Sequence, residues 1–341
     1  MPSSGRVGSV EVLRGIAAFS VMWFHLTNGA PALLPEASLV KQSGAYGWLG
    51  VQFFFVISGF VIPYSMALSS YDMRRDGVTF LLRRAARIEP AYLVSALLVV
   101  ALQFASALAT GAPAPGPGIA SGLALHVAYL VPWLDRPWLS PVYWSLAIEF
   151  QYYLAMLFLA PMLIANDRST IRLLLAGLAA LSLTTSDARA ICPWLPLFCV
   201  GFLRFLWPRR LLRASELGAW LALFLCLVCV TRNLAEAAAA GFAFAFLFVP
   251  LKADVPVFGF LGAISYSLYL IHVPIGGRIV NLGTRLPEAE WMRAGAAFAA
   301  VAASLVAAYW FWRLVENPTA AWSRSIRLRA RRLDAGLPVG R

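Results

Sequence analysis

An all-α bundle of membrane-spanning helices is the fold class this 341-residue chain predicts, on three observations. Sixty per cent of its residues are hydrophobic and only 13% are charged, where a soluble domain is about a quarter charged. The apolar residues form long runs along the whole chain, without the short alternating segments of a β-barrel. The basic residues gather in the short loops between those runs, as membrane topology expects.

Ten spans can be read in order. The first covers about 12–28, and the Arg14 and His25 within it argue against a cleaved signal peptide. The second covers about 46–67. A basic stretch with Arg74, Arg75, Arg83, Arg84 and Arg87 follows, and Pro90 then launches the third span, about 91–110. Gly111 to Gly118 is rich in proline and glycine and breaks the chain. The apolar stretch 119–133 is too short to span and reads as a re-entrant or interfacial piece.

The fourth span covers about 141–165. Spans five to eight cover about 172–185, 191–207, 215–231 and 237–251. The ninth and tenth cover about 257–279 and 292–314. A basic tail closes the chain. With the N-terminus inside, twenty Lys and Arg side chains fall on the inner side and seven on the outer, with Arg14 inside the first span. This bias predicts both termini in the cytoplasm and an even number of spans. One membrane domain over about 8–318 is expected, since the tail is too short to fold alone.

Several function classes are disfavoured. The net charge of +12 follows from loop arginines and does not indicate nucleic acid. Cys192, Cys199, Cys226 and Cys229 all fall in apolar spans, where small buried hydrophobes are the expected reading. No metal site is expected.

The chemistry-bearing residues are those that are expensive to bury. Arg14 and His25 lie eleven residues apart, about 16 Å along a helix. One is therefore near the inner rim and the other well into the membrane. His25, Glu149 and His272 are expected at a similar depth, in the outer half. Such a group can transfer protons, or can serve as hydrogen-bonding glue between helices. Arg83 and Arg87 share a helix face, and arginine forks at a rim can hold phosphate. They can equally set topology or meet lipid headgroups. Glu149 is close to Tyr152 and Tyr153 on its helix. Ser265, Tyr269 and His272 follow one helical face.

Taken together these segments resemble the membrane acyltransferase-3 family. Arg14 and His25 match its first-helix pattern, and Gly50 to Phe60 its second-helix pattern. Arg84-Ala-Ala-Arg87-Ile-Glu-Pro90-Ala-Tyr92 matches its arginine segment. Trp144 to Tyr153, Ser265 to His272, and Glu316 with Pro318 match three further motifs. The matches run in order over nearly the whole chain. Glu11 stands where the family often has Asp.

The resemblance implies an O-acyltransferase of a bacterial inner membrane. Its donor would be a cytoplasmic acyl-CoA, usually acetyl-CoA, with no bound cofactor. Its acceptor would be a hydroxyl of a glycan, such as an exopolysaccharide or lipid-linked sugar, or of a small metabolite such as a macrolide. It implies Arg14, Arg84 and Arg87 as donor-binding residues and His25, Glu149 and His272 as catalytic ones. Glu11, Ser145, Tyr153, Ser265 and Tyr269 are expected to support them. Direct transfer and an acyl-protein intermediate both fit. A transporter or flippase is the reading from another class, since it too needs buried ionisable groups, but the inverted repeats common in transporters are not evident.

Overall fold

The computed structural model describes residues 8–326, apart from 70, 112, 114, 115, 117, 166 and 252–255. Arg6, Lys252, half of the proline-glycine breaker and the basic tail beyond 326 lie outside the described residues. The described residues hold helices and no strand.

Each of the ten expected spans coincides with a helix. α1 is Gly8–Asn28 and α2 a short Leu39–Gly44. α3 is Gly50–Leu68, α4 Met73–Thr110, α5 Ile119–Val127 and α6 Trp144–Ile164. α7 is Arg168–Leu181, α8 Leu195–Leu206, α9 Ala214–Thr231 and α10 Leu234–Phe246. α11 is Pro256–Gly283, α12 Glu290–Phe311 and α13 Asn317–Ser325. Among the described residues, seven helical segments are long and apolar enough to cross a membrane. α7, α8 and α10, with 14, 12 and 13 residues, fall short of the roughly 20 residues a span needs.

The arginine stretch is not the loop that the sequence suggests. It forms the first turns of α4, which runs unbroken for 38 residues through Pro90. Asp72 caps this helix by accepting the Arg75 backbone N–H at 3.0 Å, satisfying one of its open donors. At about 57 Å the helix is far longer than a hydrocarbon core. Its arginine-bearing half therefore lies at or beyond the membrane surface.

Lipid tails are as apolar as leucine, so shape and small residues hold such helices together. The contact between α1 and α11 depends on glycine. A Cβ on Gly262 would lie 2.6 Å from the Glu11 carbonyl oxygen, and one on Gly15 2.9 Å from the Leu261 Cβ. The two backbones touch at this point. α3 and α8 approach as closely, where a Cβ on Gly59 would lie 2.1 Å from the Phe198 carbonyl oxygen. Tyr152 of α6 stacks on Phe198 at 4.0 Å between ring centroids. Trp144 packs on Trp194 at 4.9 Å. Aromatic pairs of this kind contribute about 0.5–1.5 kcal/mol each beyond the area they bury.

Two polar clusters are structural. Glu236 is buried, accepts from Gln52 at 2.9 Å and from Asn233 at 2.9 Å, and pairs with Arg232. The Arg232 guanidinium in turn lies 3.6 Å from the Trp194 ring centre. His126 is buried, with Nδ1 at 2.6 Å from the Tyr92 hydroxyl, and Nε2 accepts the Leu139 backbone N–H at 3.4 Å. This histidine clips the segment 119–140 onto α4. That segment contains the nine-residue α5 and no span.

Candidate active site

Two cavities approach each other inside the bundle. The first, the arginine cavity, is lined by Arg14, Arg84, Arg87, Glu149 and Glu316, among others. A neighbouring recess shares Arg14, Arg87 and Glu316 with it and adds Glu11, Tyr64, Trp312 and Arg324. That recess lies at the end of the bundle where α1 begins and α13 ends.

The α4 helix supplies Arg84 and Arg87 three residues apart, so both point to one side. Arg84 donates to the Ser65 hydroxyl at 3.2 Å. Its guanidinium sits 5.4 Å from the Phe80 ring centre and 5.5 Å from that of Tyr153. Glu149 accepts from the Tyr153 hydroxyl at 2.5 Å and from Ser58 at 3.1 Å. Glu316 accepts from both the backbone N–H and the hydroxyl of Ser267, at 3.1 and 2.6 Å. Glu316 closes a π-helical turn, Trp312–Glu316, between α12 and α13, a distortion often found at functional sites. Three guanidinium groups thus face two carboxylates that are already hydrogen-bonded, which leaves the cavity net positive and suited to an anion.

The far end of this cavity is closed by aromatic and hydroxyl groups. Tyr269 shares a hydrogen bond of 2.5 Å with Ser145 and donates to the Val142 carbonyl at 3.0 Å. The Phe54 ring packs edge-on against Tyr269 at 5.6 Å. Beyond Tyr269, at 6.2 Å between ring centroids, lies His272.

His272 is buried, and its Nε2 lies 3.3 Å from Nδ1 of His25. Its own Nδ1 is 2.8 Å from the Leu268 carbonyl, and Nδ1 of His25 is 2.9 Å from the Val21 carbonyl. A carbonyl only accepts, so each Nδ1 carries a proton in the neutral rings. Nε2 of His272 is then an acceptor for the His25 Nδ1–H, and Nε2 of His25 keeps its lone pair. His25 is half-buried and lines the second, histidine cavity. Its walls come from α1, α4, residues 139–141 and α11, and include Gln103, Ser140, Arg278 and Asn281.

The expected residues therefore divide into two groups. Arg14, Arg84, Arg87, Glu149, Ser145, Tyr153 and Tyr269 line the arginine cavity. His25 and His272 touch each other. Glu149 has no hydrogen bond to either among the described residues: its hydrogen bonds go to Ser58 and Tyr153 in the arginine cavity. Depth along the helix axis puts it at the level of His25 but gives no direction around the bundle, and Glu149 faces α3 and α4. Glu11 lines the recess with Arg14. Ser265 is buried and donates back to the Gly262 carbonyl at 2.9 Å, behind the α1 contact. Sequence reasoning places Glu316 and Ser58 only within motifs, without a role, and Ser140 and Gln103 nowhere. Arg278 appeared there only as one of the outer basic residues. A buried carboxylate two residues before a proline was the available signal for Glu316.

The family model described as "Acyltransferase domain", of the acyltransferase-3 family, matches residues 7–313. No curated protein and no solved structure matches the chain.

Proposed function

The chain belongs to the acyltransferase-3 family, and on that premise we propose that it transfers an acyl group from an acyl-CoA to a hydroxyl on an acceptor such as a glycan. The observation that carries this reading is the histidine pair standing between two cavities of different chemistry. The arginine cavity suits the phosphates of coenzyme A. The histidine cavity suits a neutral, hydroxyl-bearing molecule beside a base.

Arg84 and Arg87 grip phosphate as planar forks, and Arg14 adds a third charge. Glu149 and Glu316 hold the surrounding hydroxyls and keep the arginines from repelling one another without restraint. The pantetheine arm runs from there towards Tyr269, along the roughly 16 Å that separate Arg14 from His25 on α1.

At the junction, Nε2 of His25 removes the proton of the acceptor hydroxyl. The oxygen attacks the thioester carbon as the proton leaves. The Ser145 and Tyr269 hydroxyls lie at the end of the arginine cavity, and a proton turned from the Val142 carbonyl towards the substrate would steady the oxyanion. The carbon–sulfur bond then breaks, and the departing thiolate takes the proton back from His25. His272 touches neither reactant: it is a positioning residue that fixes the His25 tautomer.

The basic side chains gathered at the end where α1 begins and α13 ends support a cytoplasmic donor site, and membership of the family supports a bacterial inner-membrane location. The test is free-thiol release from acetyl-CoA by the purified protein. Release that requires His25 supports the reading, and absence of release sinks it in favour of a transporter.

A further inference from the structure

We propose that the histidine cavity is an acceptor site for an anionic, hydroxyl-rich molecule, with Arg278 binding its carboxylate or phosphate. The proposal deepens the acyltransferase reading and rests on it for the identity of the reaction.

Arg278 lies six residues beyond His272 on α11, about 9 Å further along the axis. It lines the same cavity as His25. The charge pattern of the sequence puts it on the outer side, where basic residues are scarce, so setting topology does not account for it. It has no carboxylate partner and no hydrogen bond among the described residues. An unpaired guanidinium on the wall of a partly enclosed cavity favours an anion there.

A second observation points the same way. Ser140 is 1% exposed, lines this cavity, and its hydroxyl has no hydrogen-bond partner. Buried hydroxyls are rarely left so unless a ligand or water completes them. Ser140 is carried here by the segment that His126 clips to α4, so its place on the wall is rigid. Gln103 from α4 and Asn281 from α11 add amide groups that can both donate and accept. Hydroxyls need such groups, and an anion needs the arginine. Together they fit an acidic sugar or a sugar phosphate. The anion would sit several ångströms from the hydroxyl held at His25 Nε2, so it fixes which hydroxyl reaches the base.

The experiment reads His25 itself. Diethyl pyrocarbonate modifies the free imidazole nitrogen, and peptide mass spectrometry follows the rate at His25 in protein held in nanodiscs. Three probes are added separately: trigalacturonate, glucose 1-phosphate and maltotriose. At least one anionic probe is expected to slow the modification at concentrations where maltotriose does not. Which of the two protects tells carboxylate from phosphate. Arg278→Gln is expected to weaken that protection about tenfold, and Arg278→Lys to restore part of it.

Equal protection by maltotriose, protection unchanged in Arg278→Gln, no protection by any probe, or a His25 that does not react would each overturn the proposal. Thiol release from acetyl-CoA is measured in parallel. Anion protection without thiol release leaves the site standing and removes the acyltransferase reading. Thiol release without anion protection does the reverse.

Discussion

Nδ1 of His25 and Nε2 of His272 lie 3.3 Å apart although 247 residues separate them in the chain. Their meeting is set by glycine. Gly15 and Gly262, where α1 and α11 touch, each lie ten residues before a histidine. Both helices run the same way, so both climb about 15 Å from the contact and bring the two rings to one level.

The first prediction is that His25→Ala and His25→Gln lower acyl transfer by about 10²–10⁴-fold, the usual contribution of a general base. Both variants should insert and purify as single species, because the ring is only half-buried. Thiol release with acetyl-CoA is the measurement, and a variant retaining a tenth of the wild-type rate would refute the role.

His272 should behave differently. His272→Gln keeps a carbonyl oxygen able to accept the His25 Nδ1–H, and His272→Leu does not. The glutamine variant is expected to hold kcat within about tenfold, while leucine loses more. The KM for acetyl-CoA should stay constant in both. A leucine variant as active as glutamine would show that the histidine only fills space.

Arg84 and Arg87 should govern donor affinity. Replacing either by glutamine is expected to raise the KM for acetyl-CoA about tenfold or more, from the loss of a charge-assisted hydrogen bond. Lysine should recover only part of this, because it lacks the fork. Binding of coenzyme A followed by calorimetry checks the assignment, and an unchanged affinity would return both residues to a role in topology.

Gly262→Ala should damage both stability and activity. Its new Cβ would meet the Glu11 carbonyl oxygen at 2.6 Å, so α1 and α11 must separate. Overpacking of this kind typically costs about 1–3 kcal/mol, visible as a lower Tm. The loss in kcat should exceed that of a control, Gly218→Ala, where a Cβ meets nothing within 4 Å. Equal behaviour of the two would disconnect the glycine contact from the histidine pair.

Sidedness gives the last prediction. In vesicles of uniform orientation, acetyl-CoA should support transfer only from the face where α1 begins and α13 ends. Equal rates from both faces would contradict a donor site built around Arg14, Arg84 and Arg87.

Much of this architecture was legible in the chain. Long apolar runs and few charges dictate helices in lipid, because no other segment satisfies its own backbone there. The cost of burying charge singled out Arg14, His25, Glu149 and His272. Helix rise gave the depth of each. What it left open was direction around each helix and the neighbour on the other side. Those are fixed by packing between segments far apart in sequence, and so only the tertiary structure decided them. Glycine contacts turned His272 onto His25, while Glu149 was turned towards Ser58 and the arginines. The arginine stretch likewise became the start of α4, because the Asp72 cap and continuous packing outweigh the breaking tendency of Pro90. Local pattern fixes what a segment is, and the partners of its buried polar groups fix what it does.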